Sequence, residues 1–286
     1  MRDLTENNLT DAVIEKLANT PDPRLKLIMS KLIANLHKFI QEVEPSDQEW
    51  AEAIKFLTEV GQKCNDKRQE FILMSDTLGA SMLVDAINNR KVEAATESSV
   101  LGPYYRPSAP KINYGDSINI SDEEDKPTVS GHVFTTDDTP IEGAILDIWQ
   151  TAPNGKYDVQ DTAQPDMNLR GRLATDESGQ YAFRTVQPAS YPIPTDGPVG
   201  KMLSALHWHP NRPAHIHFII SAEGYKTVTT QLFLEGDPFL DSDAVFAVKG
   251  SLVTEIKNSN VGAKTSSDGN QDVYYDFRLE KLDNLP

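Results

Sequence analysis

Apolar residues recur every three or four positions over residues 23–43, a spacing typical of an amphipathic helix. Pro45 ends this pattern, and Ser46 with Glu49 has the spacing of a capping box at the start of a second helix. A further helical pattern covers residues 69–88. The first part of the chain is therefore predicted to be helical.

Beyond Gly102 the apolar period changes to two, and glycine and proline turns recur at short intervals, as in an all-β sandwich. The predicted strands cover residues 128–135, 144–150, 180–186, 215–222, 227–234 and 273–279. Residues 195–213 carry little regular pattern. We expect them to form a long irregular loop, the kind of segment that often carries function.

The distribution of backbone-breaking residues supports this division. Residues 1–100 hold only 3 of the 18 prolines and 2 of the 16 glycines. We therefore predict an α+β protein in which a helical domain, residues 1–100, precedes an antiparallel β-sandwich domain, residues 101–286.

Charge and hydropathy exclude several classes of function. The 286 residues include 43 acidic and 27 basic side chains, a net charge of −16, which argues against binding to nucleic acid or to an anionic membrane surface. No apolar run approaches the roughly 20 residues that a membrane-spanning helix needs. The N-terminus lacks a signal-peptide pattern, and Cys64 is the single cysteine. These features predict a cytoplasmic protein.

Two histidine pairs are candidates for a metal site. His215 and His217 fall in a predicted strand, where side chains two positions apart share a face and can reach one metal ion. Paired histidines on a strand can equally be hydrogen-bonded core residues. His207 and His209 have the same spacing but lie in the predicted loop, where nothing holds their rings in register, so we expect a surface or supporting role for them.

Two tyrosines stand out because turn-forming residues surround them. Tyr157 follows Gly155, and Tyr191 precedes two closely spaced prolines. Each ring could cap the sandwich core with its hydroxyl bonded to the backbone. The single cysteine lies in the helical part, which argues against a thiolate metal site.

Taken together, several segments resemble the intradiol ring-cleaving dioxygenases over nearly the whole chain. The segments that carry the resemblance are Leu101-Gly102-Pro103-Tyr104-Tyr105, Trp149-Gln150, Tyr157-Asp158-Val159-Gln160, Asn168-Leu169-Arg170-Gly171, the stretch from Tyr191 to Gly200, Arg212-Pro213-Ala214-His215-Ile216-His217-Phe218 and Asp243-Ala244-Val245-Phe246. The resemblance implies that the helical domain serves dimerisation and that the sandwich is catalytic.

The resemblance also implies one Fe(III) per subunit. Its ligands would be Tyr157 and His215 in equatorial positions, Tyr191 and His217 in axial ones, and a hydroxide. Tyr191 would leave the metal to act as a general base. Arg212 would lie beside the substrate ring, and Gln231 would lie close to the iron ligands.

An ortho-diphenol and O2 are the implied substrates. The residues implied for the substrate pocket are Leu73, Asp76, Val100, Leu101, Gly102, Pro103, Tyr104, Ile193, Pro194, Arg212 and Val245. The Asp76 carboxylate can accept a hydrogen bond from the third hydroxyl of hydroxyquinol, which catechol lacks. Hydroxyquinol, cleaved to 3-hydroxy-cis,cis-muconate or maleylacetate, is therefore favoured over catechol, cleaved to cis,cis-muconate.

The resemblance further implies a homodimer that forms through the N-terminal helices with phospholipid at the interface. A packed helical interface without lipid remains an alternative, because an amphipathic stripe does not identify what covers it. Two other classes of function also remain open at this point. One is a non-enzymatic β-sandwich binding protein, and the other is a zinc hydrolase that uses His215 and His217.

Overall fold

The computed structural model describes residues 2–65, 68–121, 123–124, 127–259 and 270–282, with the backbone alone at 256–259 and 270–271. The chain divides into two compact units, residues 1–59 and 60–286. The α-helices are α1 (Leu9–Glu15), α2 (Pro23–Val43), α3 (Asp47–Lys63), α4 (Glu70–Thr77), α5 (Ala80–Asn88) and α6 (Pro198–Ala205). The strands are β1 (Thr128–Thr135), β2 (Ile145–Gln150), β3 (Arg170–Ala174), β4 (Gln180–Arg184), β5 (Tyr191–Pro192), β6 (Asn211–Arg212), β7 (His215–Ser221), β8 (Val228–Leu234), β9 (Val253–Thr254), β10 (Ile256–Ser259), β11 (Asn270–Tyr274) and β12 (Phe277–Leu279).

Helix α2 begins and ends where the sequence predicts. Asp22 caps its start by accepting hydrogen bonds from the backbone N–H groups of Arg24, at 2.8 Å, and Leu25, at 3.2 Å. The helix ends at Val43, and the next residue, Glu44, adopts a φ of 49° just before Pro45. The capping box of α3 is also confirmed, because the Ser46 N–H donates to Glu49 Oε2 at 2.8 Å and the Glu49 N–H donates to Ser46 Oγ at 3.3 Å.

Within the first unit, α1 lies along one side of α2. The Gln41 side chain donates to the Glu6 carbonyl at 2.7 Å, and Thr10 Oγ1 lies 3.0 Å from His37 Nδ1. The opposite side of α2 carries a row of apolar side chains that are about half exposed in the single chain. This apolar row consists of Leu25, Ile28, Leu32, Leu36, Phe39 and Val43.

Two predictions for the second unit were wrong. The pattern over residues 69–88 forms two helices, α4 and α5, because Gly79 adopts a φ of 71° that an α-helix cannot contain. Residues 195–213 were expected to be irregular, yet they contain α6. This helix has Pro198 at its first position and is too short to show a clear period.

Two five-stranded sheets form the sandwich. One has the order β3-β2-β7-β8-β9, and in the other β1 lies between β4 on one side and β11 and β12 on the other. Aromatic rings join the two sheets, since Phe218 lies 6.2 Å from Phe183 and 5.0 Å from Phe277 between ring centroids. The apolar core therefore lies between the sheets, as the alternating pattern predicts.

Most strand predictions agree with the structure within two residues, but three features differ. The predicted strand 273–279 is interrupted at Tyr275 and Asp276, and five strands were not predicted, namely β3, β5, β6, β9 and β10. Pairing is mostly antiparallel as expected, but β1 pairs in parallel with β11 and β12, and β8 pairs in parallel with β9. The predicted α+β class, with a helical N-terminal part and a sandwich, is confirmed.

Gly131 is necessary for the interruption between β11 and β12. The Tyr275 N–H donates to the Ser130 carbonyl at 3.0 Å, and Asp276 Oδ1 accepts the N–H of His132 at 2.9 Å. A Cβ added at Gly131 would lie 1.8 Å from the Tyr275 carbonyl oxygen. The bulge in the neighbouring strand therefore fits only against a glycine.

We predict that Gly131→Ala lowers the free energy of unfolding by about 3 kcal/mol, because backbone must move to relieve the clash. Chemical denaturation of the two proteins measures this difference. Gly250→Ala is the matched control, since an added Cβ there meets no atom within 4 Å. Equal stability of Gly131→Ala and the wild type would contradict the assigned packing.

Candidate metal centre

Strand β7 lies between β2 and β8 and presents His215 and His217 on one face. The alternate residue Phe218 points into the core between the sheets. In the strand register, His217 lies opposite Trp149 of β2 and Gln231 of β8. The central position of β7 thus surrounds the histidines with residues from both neighbouring strands.

A turn after β2 brings Tyr157 towards Tyr191. Gly155 in this turn has a φ of 75°, and a Cβ added to it would lie 3.0 Å from the Cβ of Tyr191. Asp158, which follows Tyr157 in the sequence, has a buried side chain and accepts a hydrogen bond from Arg170 Nε at 2.9 Å. The glycine allows the two tyrosine segments to approach closely, and the ion pair anchors the turn.

The second tyrosine is held by a two-stranded ladder. Tyr191 begins β5 and pairs with Arg212 of β6. Its neighbour Ser190 donates its hydroxyl to Asp237 Oδ2 at 2.7 Å, and the same oxygen accepts the N–H of Ala214 at 2.9 Å. One carboxylate therefore ties the Tyr191 segment to the start of β7.

Four polar atoms of these side chains converge. Tyr157 Oη lies 3.3 Å from Tyr191 Oη and 3.1 Å from His217 Nε2, which in turn lies 3.1 Å from His215 Nε2. All four side chains are buried. The structure thus brings together the two tyrosines and the two histidines predicted as metal ligands.

Both histidines present Nε2 to this cluster as neutral imidazoles. Burial lowers the pKa of His215 and of His217 well below the ordinary value, and the nearby Arg212 charge lowers both further. His215 Nδ1 lies 2.7 Å from the Pro213 carbonyl, which can only accept, so the ring proton is on Nδ1. The two Nε2 atoms lie 3.1 Å apart, and both could ligate one cation once the His217 proton is on Nδ1.

The donor set fits a hard, highly charged cation. Burial raises the pKa of the Tyr157 hydroxyl well above its ordinary value, and the neighbouring Tyr191 raises it further. A nearby metal charge reverses this preference and stabilises the phenolate. Imidazole nitrogens suit iron, and anionic oxygen ligands favour its ferric state. The four residues are therefore chemically suited to hold Fe(III).

His217 is held by stacking instead of the hydrogen bond that metal-binding histidines usually make. Its Nδ1 is buried and has no hydrogen-bond partner among the described residues. The Trp149 indole lies parallel to the imidazole, with 4.6 Å between ring centroids and an interplanar angle of 6°. Trp149 therefore fixes the plane of the His217 ring.

Arg212 is buried beside the cluster and is charged. Its Nη1 lies 3.1 Å from His215 Nε2, its Nη2 donates to Gln231 Oε1 at 2.7 Å, and its Nε donates to Asp243 Oδ1 at 3.1 Å. Burial would lower the pKa of Arg212, but Asp243, Tyr191 and Tyr157 together outweigh burial and raise it. Gln231 also donates to the Val100 carbonyl at 2.6 Å. The structure therefore places the predicted Arg212 and Gln231 in one network.

A cleft of about 770 Å³ lies beside Tyr104, whose ring stacks on Tyr157 with 4.6 Å between centroids. Four residues predicted for the substrate pocket line it, namely Leu73, Pro103, Tyr104 and Pro194. Five charged residues that also line the cleft were not predicted. They are Arg68, Glu70, Arg106, Asp166 and Asp196.

The other residues predicted for the substrate pocket lie in several settings. A Cβ added at Gly102 would be 3.1 Å from His217 Cε1, so Gly102 lies against the candidate metal centre. Asp76 is buried, and burial raises the pKa of its carboxyl, while the charge of Arg212 lowers it. Ile193 and Val245 are buried, and Leu101 is largely exposed. Their contact with a substrate stays a prediction.

The sequence patterns did not assign roles to Trp149 and Asp243. Trp149 sits in an apolar strand and is indistinguishable from a core residue by its pattern. Asp243 lies 31 residues from Arg212 in a segment without a period, so only the folded chain brings the two together.

The second histidine pair lies outside the cluster. His207 and His209 are exposed, and His209 Nδ1 accepts the N–H of Asn211 at 3.1 Å. Throughout the described part of the chain, no group of three or more His, Cys, Asp or Glu side chains is arranged to hold a metal. The tyrosines are therefore essential to the candidate site.

None of the helices in the described ranges combines the length and the apolar composition that crossing a membrane requires.

Comparisons with known proteins agree with these observations. A family model described as a dioxygenase matches residues 100–281, and one described as the catechol dioxygenase N terminus matches residues 22–96. A hydroxyquinol 1,2-dioxygenase of Rhizobium sp. (strain MTP-10005) is 49% identical over 88% of this chain and 86% of the relative. A catechol 1,2-dioxygenase of Candida albicans is 36% identical over 87% and 83%, respectively.

A solved structure is also similar. The hydroxyquinol 1,2-dioxygenase from Pseudomonas putida DLL-E4 superimposes with a TM-score of 0.91 and 46% identity. The match covers 97% of this chain and 99% of that one.

We predict that Trp149→Leu weakens Fe(III) binding by about tenfold to a hundredfold, because the His217 ring loses the contact that orients it. Competition with a chelator, followed by iron analysis of the protein, measures this change. Phe218→Leu controls for the loss of a buried ring from the same region of the sandwich and should lower stability without weakening iron binding. Equal iron retention by the two variants would argue against a role for stacking.

Proposed function

Because this chain belongs to the intradiol ring-cleaving dioxygenase family, we propose that each subunit holds one Fe(III) through Tyr157, Tyr191, His215 and His217. The observation that carries the proposal is the convergence of two imidazole nitrogens and two phenol oxygens at 3.1–3.3 Å in a buried site. The chain is an aromatic ring-cleaving enzyme. Neither a binding protein nor a zinc hydrolase accounts for this donor set.

Hydroxyquinol is the substrate that the combined observations favour, and catechol is the second candidate. Relatives named hydroxyquinol 1,2-dioxygenase are 41–49% identical to this chain, whereas the catechol 1,2-dioxygenase of Candida albicans is 36% identical. Both atoms of O2 would enter the product, 3-hydroxy-cis,cis-muconate or its tautomer maleylacetate.

The chemistry that Fe(III) supplies when bound is withdrawal of electron density from a chelated ortho-diphenolate, which makes a ring carbon reactive towards O2. The residues of the chain then have distinct tasks. Tyr191 Oη accepts a proton from a substrate hydroxyl. Arg212 holds a fixed positive charge beside the cluster, where negative charge develops on the substrate.

The walls of the cleft orient the ring. Tyr104 is fixed by its stacking on Tyr157 and by the hydrogen bond that its hydroxyl accepts from Gln160 at 2.8 Å. Leu73 and Pro194 supply apolar surface at the cleft. Together they exclude water from the reacting carbon atoms.

Asp76 provides the selectivity. Its buried carboxylate would accept a hydrogen bond from the third hydroxyl of hydroxyquinol. Catechol would leave this carboxylate without that partner, at a cost of about 1–3 kcal/mol.

We predict that the iron-loaded protein consumes O2 faster with hydroxyquinol than with catechol, and that Asp76→Ala removes most of this preference. Initial O2 uptake at matched concentrations measures both effects, with the autoxidation of hydroxyquinol subtracted in an enzyme-free control. Asp76→Ala should lower kcat/KM for hydroxyquinol by about tenfold more than for catechol.

The outcomes separate the parts of this proposal. Equal losses on both substrates would remove the role of Asp76. A wild-type preference for catechol would keep the reaction type but change the substrate, and no O2 uptake with either substrate would refute the proposed function.

We also propose a cytoplasmic homodimer that forms through the apolar row of α2, with phospholipid at the interface. The row is about half exposed in the single chain, which is unusual for six apolar side chains on one helix face. A dimer would remove this surface from water.

We predict that Leu36→Glu converts the dimer to a monomer, because a charge in the apolar row opposes its burial. Native mass spectrometry measures the oligomeric state, and lipid extraction shows whether phospholipid is bound. Lys38→Glu lies outside the row and should leave the dimer intact. A monomeric wild type would refute the dimer, and a dimer without lipid would favour the packed interface.

A further inference from the structure

A buried carboxylate joins α4 to the segment that follows Tyr191. Glu70, the first residue of α4, is fully buried, and its Oε1 accepts the N–H of Val199 at 3.2 Å. Val199 lies at the second position of α6, where backbone N–H groups have no partner within the helix and a negative charge is favourable. A Cβ added at Gly197 would lie 2.3 Å from Glu70 Oε1, so the segment packs directly against the carboxylate.

Arg68 makes a second link between the same two parts of the chain. Its Nε donates to Glu70 Oε2 at 2.8 Å, and its Nη2 lies 2.8 Å from the same oxygen. Its Nη1 donates to Asp196 Oδ1 at 2.5 Å, and Lys63 Nζ donates to Asp196 Oδ2 at 3.1 Å. These two donors lower the pKa of Asp196 to about 2, so its carboxylate is charged at neutral pH. Arg68, Glu70 and Asp196 thus form a charged triad.

The charged triad lies next to two walls of the cleft. All three of its residues line the cleft together with Leu73 and Pro194. Leu73 is three residues after Glu70, on the same side of α4. Pro194 is two residues before Asp196, and the restricted backbone of Pro192 and Pro194 limits how far this short segment can bend. The triad therefore fixes the position of the Pro194 wall relative to the Leu73 wall.

We propose that the charged triad limits the size of the substituted ring that the cleft admits. The proposal rests on the proposed function and deepens it, because it concerns bulky substituents on the ring and not the third hydroxyl of hydroxyquinol. A bulky substituent has to separate the two walls. Separation would pull the Val199 N–H away from the buried Glu70 carboxylate, which is costly because a hydrogen bond to a buried charge is strong. Small ortho-diphenols need no such movement.

A double variant tests this proposal. Arg68→Met together with Glu70→Gln removes both charges at once, so that neither is left without its partner. Arg278→Met together with Asp138→Asn is the matched control. Arg278 donates to Asp138 Oδ1 from Nε at 3.0 Å and from Nη2 at 2.8 Å, and neither residue lines the cleft. The control therefore reports the loss of an arginine–carboxylate pair alone.

We predict that the double variant raises kcat/KM for 4-tert-butylcatechol relative to catechol by about tenfold, because the two walls can then separate around the alkyl group. Steady-state O2 uptake by the iron-loaded proteins measures this ratio. A general loss of stability would lower both values together and leave the ratio unchanged. The control should keep the ratio of the wild type.

An unchanged ratio in the double variant would overturn the proposal, as would an equal rise in the control. A crystal structure of the double variant gives a readout independent of activity, since Pro194 should lie farther from Leu73, and unmoved walls would count against the proposal. A wild type without O2 uptake from catechol or hydroxyquinol would instead refute the proposed function. If the double variant does not fold, Asp196→Asn removes the exposed charge of the triad and should raise the ratio by about threefold, and no rise would overturn the proposal.

Discussion

Three contacts of 3.1–3.3 Å link two buried phenol oxygens and two buried imidazole nitrogens in a chain, and the rest of the site serves to hold these contacts. As ligands of one cation these atoms would turn four lone pairs towards each other, so the scaffold has to hold them in place. The Pro213 carbonyl fixes the proton of His215, and the Trp149 ring fixes the plane of His217. A glycine at position 155 lets the two tyrosine segments approach. Preorganisation therefore comes from packing and backbone contacts as much as from the ligands.

The buried charged side chains near the site occur in ion pairs. Arg212 pairs with Asp243, and Arg170 pairs with Asp158. Each of these four side chains is at most 4% exposed. An unpaired charge at either place would be costly, whereas a pair contributes little net stability. The main effect of these pairs is to fix the orientation of the guanidinium and carboxylate groups that form them. They give the site a fixed electrostatic arrangement that does not need to reorganise during the reaction.

The sequence patterns predicted those structural features that depend on residues close together in the chain. The bounds of α2 and β1 follow from caps, prolines and periodicity, and the spacing of His215 and His217 follows from the pleat of a strand. The break at Gly79 was missed because a helical stripe continues across it. Asp243 was missed because its partner is distant in sequence. The two tyrosines were predicted as ligands only from the resemblance to a family, because their spacing in the sequence left their role open.

The parallel pairing of β1 with β11 and β12 also bears on how the chain reaches its native state. His132 and Asp276 are 144 residues apart, yet they are hydrogen-bonded neighbours in one sheet. During synthesis, β1 leaves the ribosome long before this partner exists, and the edge that pairs with β11 and β12 stays open until those strands have emerged. Sheet closure is consequently a late event in biogenesis, and an open edge of this kind is a natural substrate for a chaperone.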